Sequence, residues 1–241
     1  MKQLLAAAAL LTFMSTGALA QSGPWEFEGR VYLWGSGVLG TTGTGQDIDL
    51  SFGDVLETLD FALMAGLEAR NGRWSVLGDF QYLAVSDELS APVGPGIPVT
   101  VDADVEGFIF TGAVGYDAVQ TSTYRLTPFV GFRYLDLTST TNLAIPGGSS
   151  RVSADRTNFD GIIGLRGDTQ LNDRWSLSYY ADVGTGDSDI TWQLGSTFDY
   201  QINDVWTVSF GYRHMAWEFD DPAVLSDVAF SGPIFGARIS F

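Results

Sequence analysis

The stretch NDRWSLSYYADVG, from Asn172 to Gly184, poses the problem of the fold. After a turn-like Asn-Asp pair, apolar or aromatic residues at 175, 177, 179, 181 and 183 alternate with mainly polar ones. Such alternation indicates a β-strand with one apolar and one polar face. A water-soluble sheet buries its apolar face, whereas a membrane barrel turns that face outward to lipid. The fold is therefore decided by which face points inward.

The N-terminus has the pattern of an export signal. Lys2 supplies a positive charge, the run 4–14 is apolar, and 18–20 reads Ala-Leu-Ala. This pattern predicts a signal peptide over residues 1–20, cleaved before Gln21, and export to the periplasm. The apolar run is too short to cross a membrane as a helix.

The composition argues against several kinds of partner and chemistry. The formal net charge is -17 at pH 7, which argues against nucleic acid, a ligand that needs a basic surface. The chain has no cysteine, so neither a disulfide framework nor thiol chemistry is expected. Lys2 is the only lysine, so every later basic residue is an arginine, which pairs well with carboxylates when partly buried. No cofactor and no metal site is predicted.

Turn signals divide the mature domain, 21–241, into strands. Asn-Gly and Asn-Asp pairs precede a tryptophan and an alternating run in NGRWSV, NDRWSL and NDVWTV, and such pairs favour tight hairpins. Ten strands are predicted, at about 25–35, 59–70, 73–86, 104–117, 124–138, 156–168, 174–185, 189–201, 205–218 and 227–241. The longer links fall at 36–58, 87–103, 139–155 and 219–226, and they alternate with short ones, apart from a short link near Ser188.

The pattern predicts an all-β fold, a closed antiparallel transmembrane β-barrel with short periplasmic turns and longer extracellular loops. About ten strands are expected, and eight or twelve fit the same turns. Closure is required because an open sheet edge leaves backbone groups unpaired in hydrocarbon. Pro128 and Pro233 cannot donate to the ladder, so a bulge or a barrel rim is expected near each. Residues 51–59 are predicted to form a short helical turn that acts as a lid or inward fold at the mouth.

The two faces of the predicted strands differ in charge. One face carries aliphatic and aromatic residues without Asp, Glu, Lys or Arg. The charged residues predicted to line the interior are Glu28, Arg30, Asp60, Glu68, Asp79, Arg125, Arg133, Asp160, Arg166, Asp182, Asp199, Arg213 and Arg238. They form either a salt-bridge network that fills a narrow barrel or the lining of a small aqueous path. Ten strands lie just above the eight that side chains can fill, which favours a filled or nearly filled interior, narrowed further by Tyr32, Trp34 and Tyr180.

Aromatic residues cluster at strand ends, as in the two girdles that bracket the apolar band of a membrane barrel. The predicted membrane-interface aromatics are Trp25, Trp74, Trp175, Trp192, Trp206 and Phe241. The chain ends on the last strand itself, with alternation up to Phe241. A terminal aromatic there resembles the signal that outer-membrane assembly machinery recognises.

Three stretches carry a resemblance to a known group. WEFEGRVYLW, DIDLSFGDVLETLDFALMAGLEARNGRWSVLGDFQYL and the ending GARISF resemble the small bacterial outer-membrane β-barrel proteins of the porin-like superfamily. The resemblance covers nearly all of the mature chain. It implies an outer-membrane location, with lipid and lipopolysaccharide around the barrel and the barrel-assembly machinery as a partner during biogenesis. It does not imply one activity.

The sole histidine argues against the hydrolases that share this architecture. Omptin-like proteases need a histidine near aspartates at the outer mouth, and lipid A deacylases use a serine–histidine pair. His214 is near Asp220 and Asp221 in sequence, but its phase with Tyr212 places it on the lipid side or at the rim, and its motif has no serine. Because hydrolysis needs a positioned base, no catalytic residue is assigned.

Three functions remain open from the sequence. The first is a structural or narrow passive-pore role for an outer-membrane barrel with a charge-lined interior. The second is a surface adhesin or receptor that uses the loops at 36–58, 87–103 and 139–155. The third is an outer-membrane hydrolase, omptin-like or lipid-modifying. The sequence does not indicate a solute, a ligand or an oligomeric state.

Overall fold

The computed structural model describes residues 25–42, 45, 47–93, 97–145, 148–219 and 225–241, which form thirteen strands and one short helix. The strands are β1 (Trp25–Trp34), β2 (Gly37–Thr42), β3 (Asp47–Leu50), β4 (Leu59–Asn71), β5 (Trp74–Val93), β6 (Ile97–Tyr116), β7 (Val119–Gln120), β8 (Tyr124–Ile145), β9 (Gly148–Gln170), β10 (Trp175–Gly186), β11 (Ile190–Gln201), β12 (Trp206–Glu218) and β13 (Leu225–Ser240). The helix α1 is Phe52–Glu57. The predicted signal peptide lies outside the described residues. No helix in the described ranges is long and apolar enough to cross a membrane.

Ten of these strands close into an antiparallel barrel, as predicted. They pair in the order β1, β4, β5, β6, β8, β9, β10, β11, β12 and β13, and β13 pairs back onto β1. The barrel strands are staggered. A path that starts at Phe27 and steps from each residue to its direct partner on the next strand goes once around the barrel. It returns at Leu39 on β2, 12 residues after Phe27. A stagger of this kind accompanies the strand tilt that barrel closure requires.

Two of the predicted long loops are strand rather than loop. The β5–β6 ladder continues to Val93 opposite Ile97, and the β8–β9 ladder continues to Ile145 opposite Gly148. The prediction of loops at 87–103 and 139–155 was wrong: residues 99–106 alternate strictly between apolar and polar types, but in the opposite phase to the outward Phe108 and Phe110. The four strands β5, β6, β8 and β9 therefore continue together beyond the barrel as one sheet, here called the outer sheet.

The third long link, 36–58, also contains regular structure. β2 continues the path of β1 along β13, after a break at residues 35 and 36, and β3 folds back onto β2. Pro233 lies opposite this break, where its carbonyl accepts a hydrogen bond from Gly35. Pro128 lies at the short-turn rim, one residue below the last β6–β8 pair. Each proline thus occupies a place where a missing N–H removes little from the ladder.

The predicted helical turn is present as α1. Ser51 is its N-cap, and a capping box joins Ser51 and Asp54 through reciprocal hydrogen bonds. These hydrogen bonds from Ser51 lower the pKa of the exposed Asp54 carboxyl. The ring of Phe52 lies over the Cα of Gly35, on the side of the strand opposite to the inward Trp34. This end of α1 therefore packs on the outer side of the wall, not inside the mouth as predicted.

The burial of the strands answers the question that their alternation raised. On the outer face Val130 and Ile163 are each 61% exposed, although they are apolar and lie side by side in mid-barrel. On the inner face Arg133 and Asp160 are 0% exposed. Apolar residues outside and charged residues inside are the arrangement of a barrel that spans a membrane.

A matched pair of isoleucine substitutions tests this orientation. Ile163→Arg, in the middle of the outer face, should lower the free energy of unfolding in lipid vesicles by about 2–4 kcal/mol, because the bilayer midplane disfavours arginine. Ile202→Arg, in the exposed β11–β12 turn, should cost about 0–1 kcal/mol near the interface. Denaturant unfolding followed by tryptophan fluorescence measures both. Equal and small effects would contradict contact between the Ile163 face and lipid.

Candidate functional site: the barrel interior

The interior contains a polar cavity of about 340 Å³, here called the inner cavity. The predicted interior residues that line it are Glu28, Arg30, Glu68, Asp79, Arg125, Arg166, Asp199, Arg213 and Arg238. Side-chain exposure falls along the barrel axis, from 30% at Arg125 near the short turns to 8% at Arg213 in mid-barrel. The inner cavity therefore opens at the short-turn end, where both ends of the barrel domain also lie.

Strong ion pairs cross the inner cavity from β9 to β4. Arg166 donates two hydrogen bonds to the Glu68 carboxylate, at 2.7 and 2.8 Å, and one to the Ser75 hydroxyl. Arg70 lies 2.6 Å from Glu68 and 3.3 Å from Asp117. A bidentate arginine–carboxylate pair fixes both side chains in place, so this bridge is rigid.

A second charged cluster is fully buried in mid-barrel. Arg133 donates to Asp182 at 2.6 Å, and both side chains are 0% exposed. Arg133 also donates to the Thr191 hydroxyl and the Gln193 amide oxygen. Asp160 accepts a hydrogen bond from Asn158 and another from the backbone N–H of Ser188. Such partners are required because an isolated charge in this position would be strongly unfavourable.

Above these charges, the outer half of the bore is filled by apolar side chains. This outer plug consists of Trp34, Met64, Ile109, Leu135, Met215, Trp217, Phe219 and Val228. Leu135 and Met215 are 0% exposed, and Trp217 is 1% exposed. Two arginine guanidinium groups cover its tryptophans, with Arg213 at 4.8 Å from the Trp34 ring centre and Arg133 at 5.7 Å from that of Trp217. Most of the inward charges therefore lie below the plug, and Arg156 lies over the Phe219 ring, 4.1 Å from its centre.

The structure corrects one predicted interior residue. Asp60 is exposed, and it lies at a register irregularity between Leu59 and Phe61 near the top of β4. A bulge there rotates the side chain out of the alternation, so Asp60 lines neither the inner cavity nor the buried cluster. The other twelve predicted interior residues lie in one of those two places. Their function as the lining of a passage stays a prediction.

The aromatic residues lie at both ends of the outer face. Trp74 and Trp175 open strands at the short-turn end and contact Tyr116 and Tyr200 respectively, with ring centres 5.1 and 5.0 Å apart. Phe27 stacks on Phe241, and Trp25 and Trp206 are exposed at the same level. Trp192 lies towards the other end of the barrel. The role of these residues as membrane-interface anchors stays a prediction.

His214 lies on the outer face, as its phase predicted. Its ring packs against Trp192, with centres 4.4 Å apart. Its Nδ1 shares a short hydrogen bond with the hydroxyl of Ser231, which β13 places directly opposite. The sequence motif around His214 lacked a serine, and pairing between strands supplies one. Because both residues lie within a continuous ladder, their backbone N–H groups pair with neighbouring strands and are not directed at a bound group.

Comparison with known proteins adds information on the fold alone. No protein-family model and no curated protein matches the chain. The translocator domain of the autotransporter NalP from Neisseria meningitidis is similar in structure, with a TM-score of 0.55 and 14% sequence identity, over 99% of this chain and 96% of that one. The outer membrane protease OmpT from Escherichia coli gives a TM-score of 0.54 and 10% identity, over 94% of this chain and 100% of that one.

The chain has the fold of the small bacterial outer-membrane β-barrels. With the apolar outer face and the short turns at one end, this fold supports a bacterial outer-membrane location with the short turns in the periplasm. The inner cavity opens at the short-turn end of this barrel, and its plug lies at the opposite end.

Sequence reasoning missed two parts of the site. The ion pairs of the inner cavity also include Arg70, Asp117 and Asp168. These residues lie at strand ends, where it is hard to assign which face a side chain is on. The outer plug was missed because the inner face was interpreted from its charged residues and not from its apolar ones. In YRHMAWEF the residues Arg213, Met215 and Trp217 share one phase, so the sequence did show the change from charged to apolar along the inner face.

The buried Arg133–Asp182 pair yields a stability prediction. Arg133→Met should lower the free energy of unfolding by about 3–5 kcal/mol, because Asp182 is left as an uncompensated buried charge. The double variant Arg133→Met/Asp182→Leu should recover most of the loss, because well-packed apolar residues replace a buried ion pair at little cost. Urea unfolding in vesicles measures both variants. A double variant as unstable as the single one would show that Thr191 and Gln193, rather than Asp182, set the cost.

Proposed function

We propose that this chain is a structural outer-membrane barrel that is closed to passive flow. Of the structural and narrow-pore roles left open by the sequence, the outer plug supports the first. Eight apolar side chains fill the outer half of the bore, and several of them are almost fully buried. Side chains packed at interior density leave no continuous path for hydrated ions.

The buried layer beneath the plug supports the same proposal. Arg133 and Asp160 are 0% exposed and Asp182 is 7% exposed. Arg133 donates to Asp182 and Thr191, and Asp160 accepts from Asn158. A conducting pore keeps its charges hydrated, whereas these charges bind protein groups, apart from Arg133 Nε and Asp182 Oδ1. Moving them aside would break several charge-assisted hydrogen bonds at once.

Planar-bilayer recording tests closure. The wild-type barrel should show no steady conductance. The triple variant Trp34→Gly/Leu135→Gly/Trp217→Gly removes three large side chains from the outer plug and should conduct. Electrophoresis without boiling checks that each protein is folded, because an intact barrel migrates differently until heated. A steady open channel in the wild-type protein would contradict the proposal.

A second function, surface recognition, is supported by the outer sheet. β5 continues past Ser86 for roughly 24 Å, and β9 runs for roughly 35 Å before it reaches β10 at Asp160. A regular sheet that projects beyond a membrane barrel presents a rigid surface, and rigid surfaces lose less entropy on binding than mobile loops. The proposed role is that of an adhesin or receptor surface on a closed barrel.

Shortening the outer sheet at one level tests this second function. Ser86, Asp104, Thr140 and Ser153 are directly paired across the four strands. Replacing 87–103 and 141–152 by Asn-Gly turns should leave the barrel folded and abolish attachment of cells that express the protein. The control replaces only the β10–β11 link, 187–189. Unchanged attachment after truncation would remove the recognition role.

Hydrolysis is not proposed for this chain. OmpT is described as a protease, but similarity at 10% identity concerns the fold alone. His214 lies on the outer wall against Trp192 and Ser231, and Asp220 and Asp221 lie outside the described residues. No observation therefore brings the histidine together with an aspartate.

A further inference from the structure

The inner cavity is far richer in basic residues than the whole chain. The chain carries 29 acidic against 12 basic residues, whereas the inner cavity is lined by six arginines and five carboxylates. The arginines are Arg30, Arg70, Arg125, Arg166, Arg213 and Arg238, and the carboxylates are Glu28, Glu68, Asp79, Asp168 and Asp199. Half of the basic residues of the chain thus line one small cavity.

Neutral groups satisfy several of those carboxylates. Asp79 accepts hydrogen bonds from the Tyr32 hydroxyl and the Gln81 amide. Asp199 accepts from the hydroxyls of Ser178 and Thr197. These hydrogen bonds add to the longer ion pairs that Asp79 makes with Arg213 and Asp199 makes with Arg238. Counted with the buried Asp117, which pairs with Arg70 and Arg125, six carboxylates face the six arginines.

Arg30 and Arg238 are held only by long ion pairs. These residues are directly paired across β1 and β13, and both point inward. Like charges in directly opposed positions are destabilising unless something else compensates them. Arg30 reaches Asp79 only at 4.0 Å, and Arg238 reaches Glu28 at 3.5 Å and Asp199 at 4.0 Å. Their side chains are 34% and 28% exposed, and the described residues give neither one a hydrogen bond.

We propose that the inner cavity is a periplasm-facing binding site for a small oxyanion, a carboxylate or phosphate group on a molecule small enough for about 340 Å³. Arg30 and Arg238 bind the anion from two adjacent strands, because guanidinium groups match the planar geometry of such oxygens. The rigid Glu68–Arg166 pair lies beside these two arginines, because Glu68 is on β4, the strand next to β1. The site does not depend on closure of the barrel.

Isothermal titration calorimetry of the folded barrel in a zwitterionic detergent tests the proposal. Inorganic phosphate and succinate are the two anionic probes, and they separate a phosphate site from a carboxylate site. Putrescine, a dication of similar length to succinate, is the control ligand. At least one anion should bind saturably with a stoichiometry of one, and putrescine should not. Saturable binding of putrescine alone, or of no probe, would overturn the proposal.

Matched variants locate the site. Arg30→Gln and Arg238→Gln should each weaken anion binding by about 10- to 100-fold, the loss expected for a charge-assisted hydrogen bond. Arg73→Gln makes the same charge change in an exposed turn at the same end and should leave affinity within about twofold, since exposed charges are screened. An equal loss in Arg73→Gln would show general electrostatic attraction and overturn the site.

A variant that should raise the affinity, and not lower it, distinguishes an effect on the site from a folding defect. Glu28 is the nearest carboxylate to Arg238 and competes with the anion for it. Glu28→Gln should therefore increase affinity, and a damaged barrel would not. Weaker binding in Glu28→Gln would contradict the assignment. Conductance is recorded separately, so an open barrel that still binds anions would refute closure without refuting this site.

Discussion

The structure depends on one constraint, which is that every backbone N–H and C=O in contact with hydrocarbon must find a partner within the protein. An unpaired group there costs several kcal/mol. The pairing of β1 with β13 meets this constraint by removing the last two edges of the sheet. The stagger that brings Phe27 round to Leu39 follows from the same closure, because strands can close into a barrel only when they tilt.

The same constraint indicates where the membrane ends. Beyond Ser86 on β5 and before Asp160 on β9, the outer sheet has edges that no described strand covers. Such edges are tolerated only in water, where solvent satisfies their backbone groups. The hydrocarbon boundary must therefore lie at or below the level at which β4 and β10 end. Trp192 lies just below the end of β11, close to that boundary.

Closure with ten strands also determines the chemistry of the interior. A bore of this size is nearly filled by side chains, so the inward residues contact one another across the lumen. The filling is divided into two parts. The outer half is closed by apolar packing, and the inner half carries arginines and carboxylates that water can reach from the short-turn end. Because only the inner half is open, a site in this barrel has access to the periplasmic side alone.

The sequence by itself determined the fold, because strand alternation has a period of two and survives any uncertainty in strand ends. Leu177 and Val183 on one face and Asp182 on the other already implied an inverted, lipid-facing barrel. It also determined nearly all of the inward charges. It failed at Asp60, where a bulge changed the phase, and at the outer sheet, where the apolar residues of 99–106 alternate in the opposite phase to Phe108 and Phe110.

Only the tertiary structure decided which inward residues meet. Arg30 and Arg238 are more than two hundred positions apart in the chain, and closure of the barrel places them side by side. Ser231 and His214 meet through the register of the β12–β13 hairpin. Which side chains face each other across the lumen depends on the stagger and the number of strands together, and neither quantity is encoded locally. The sequence therefore specified the two faces of the wall, and the closed barrel specified the site within it.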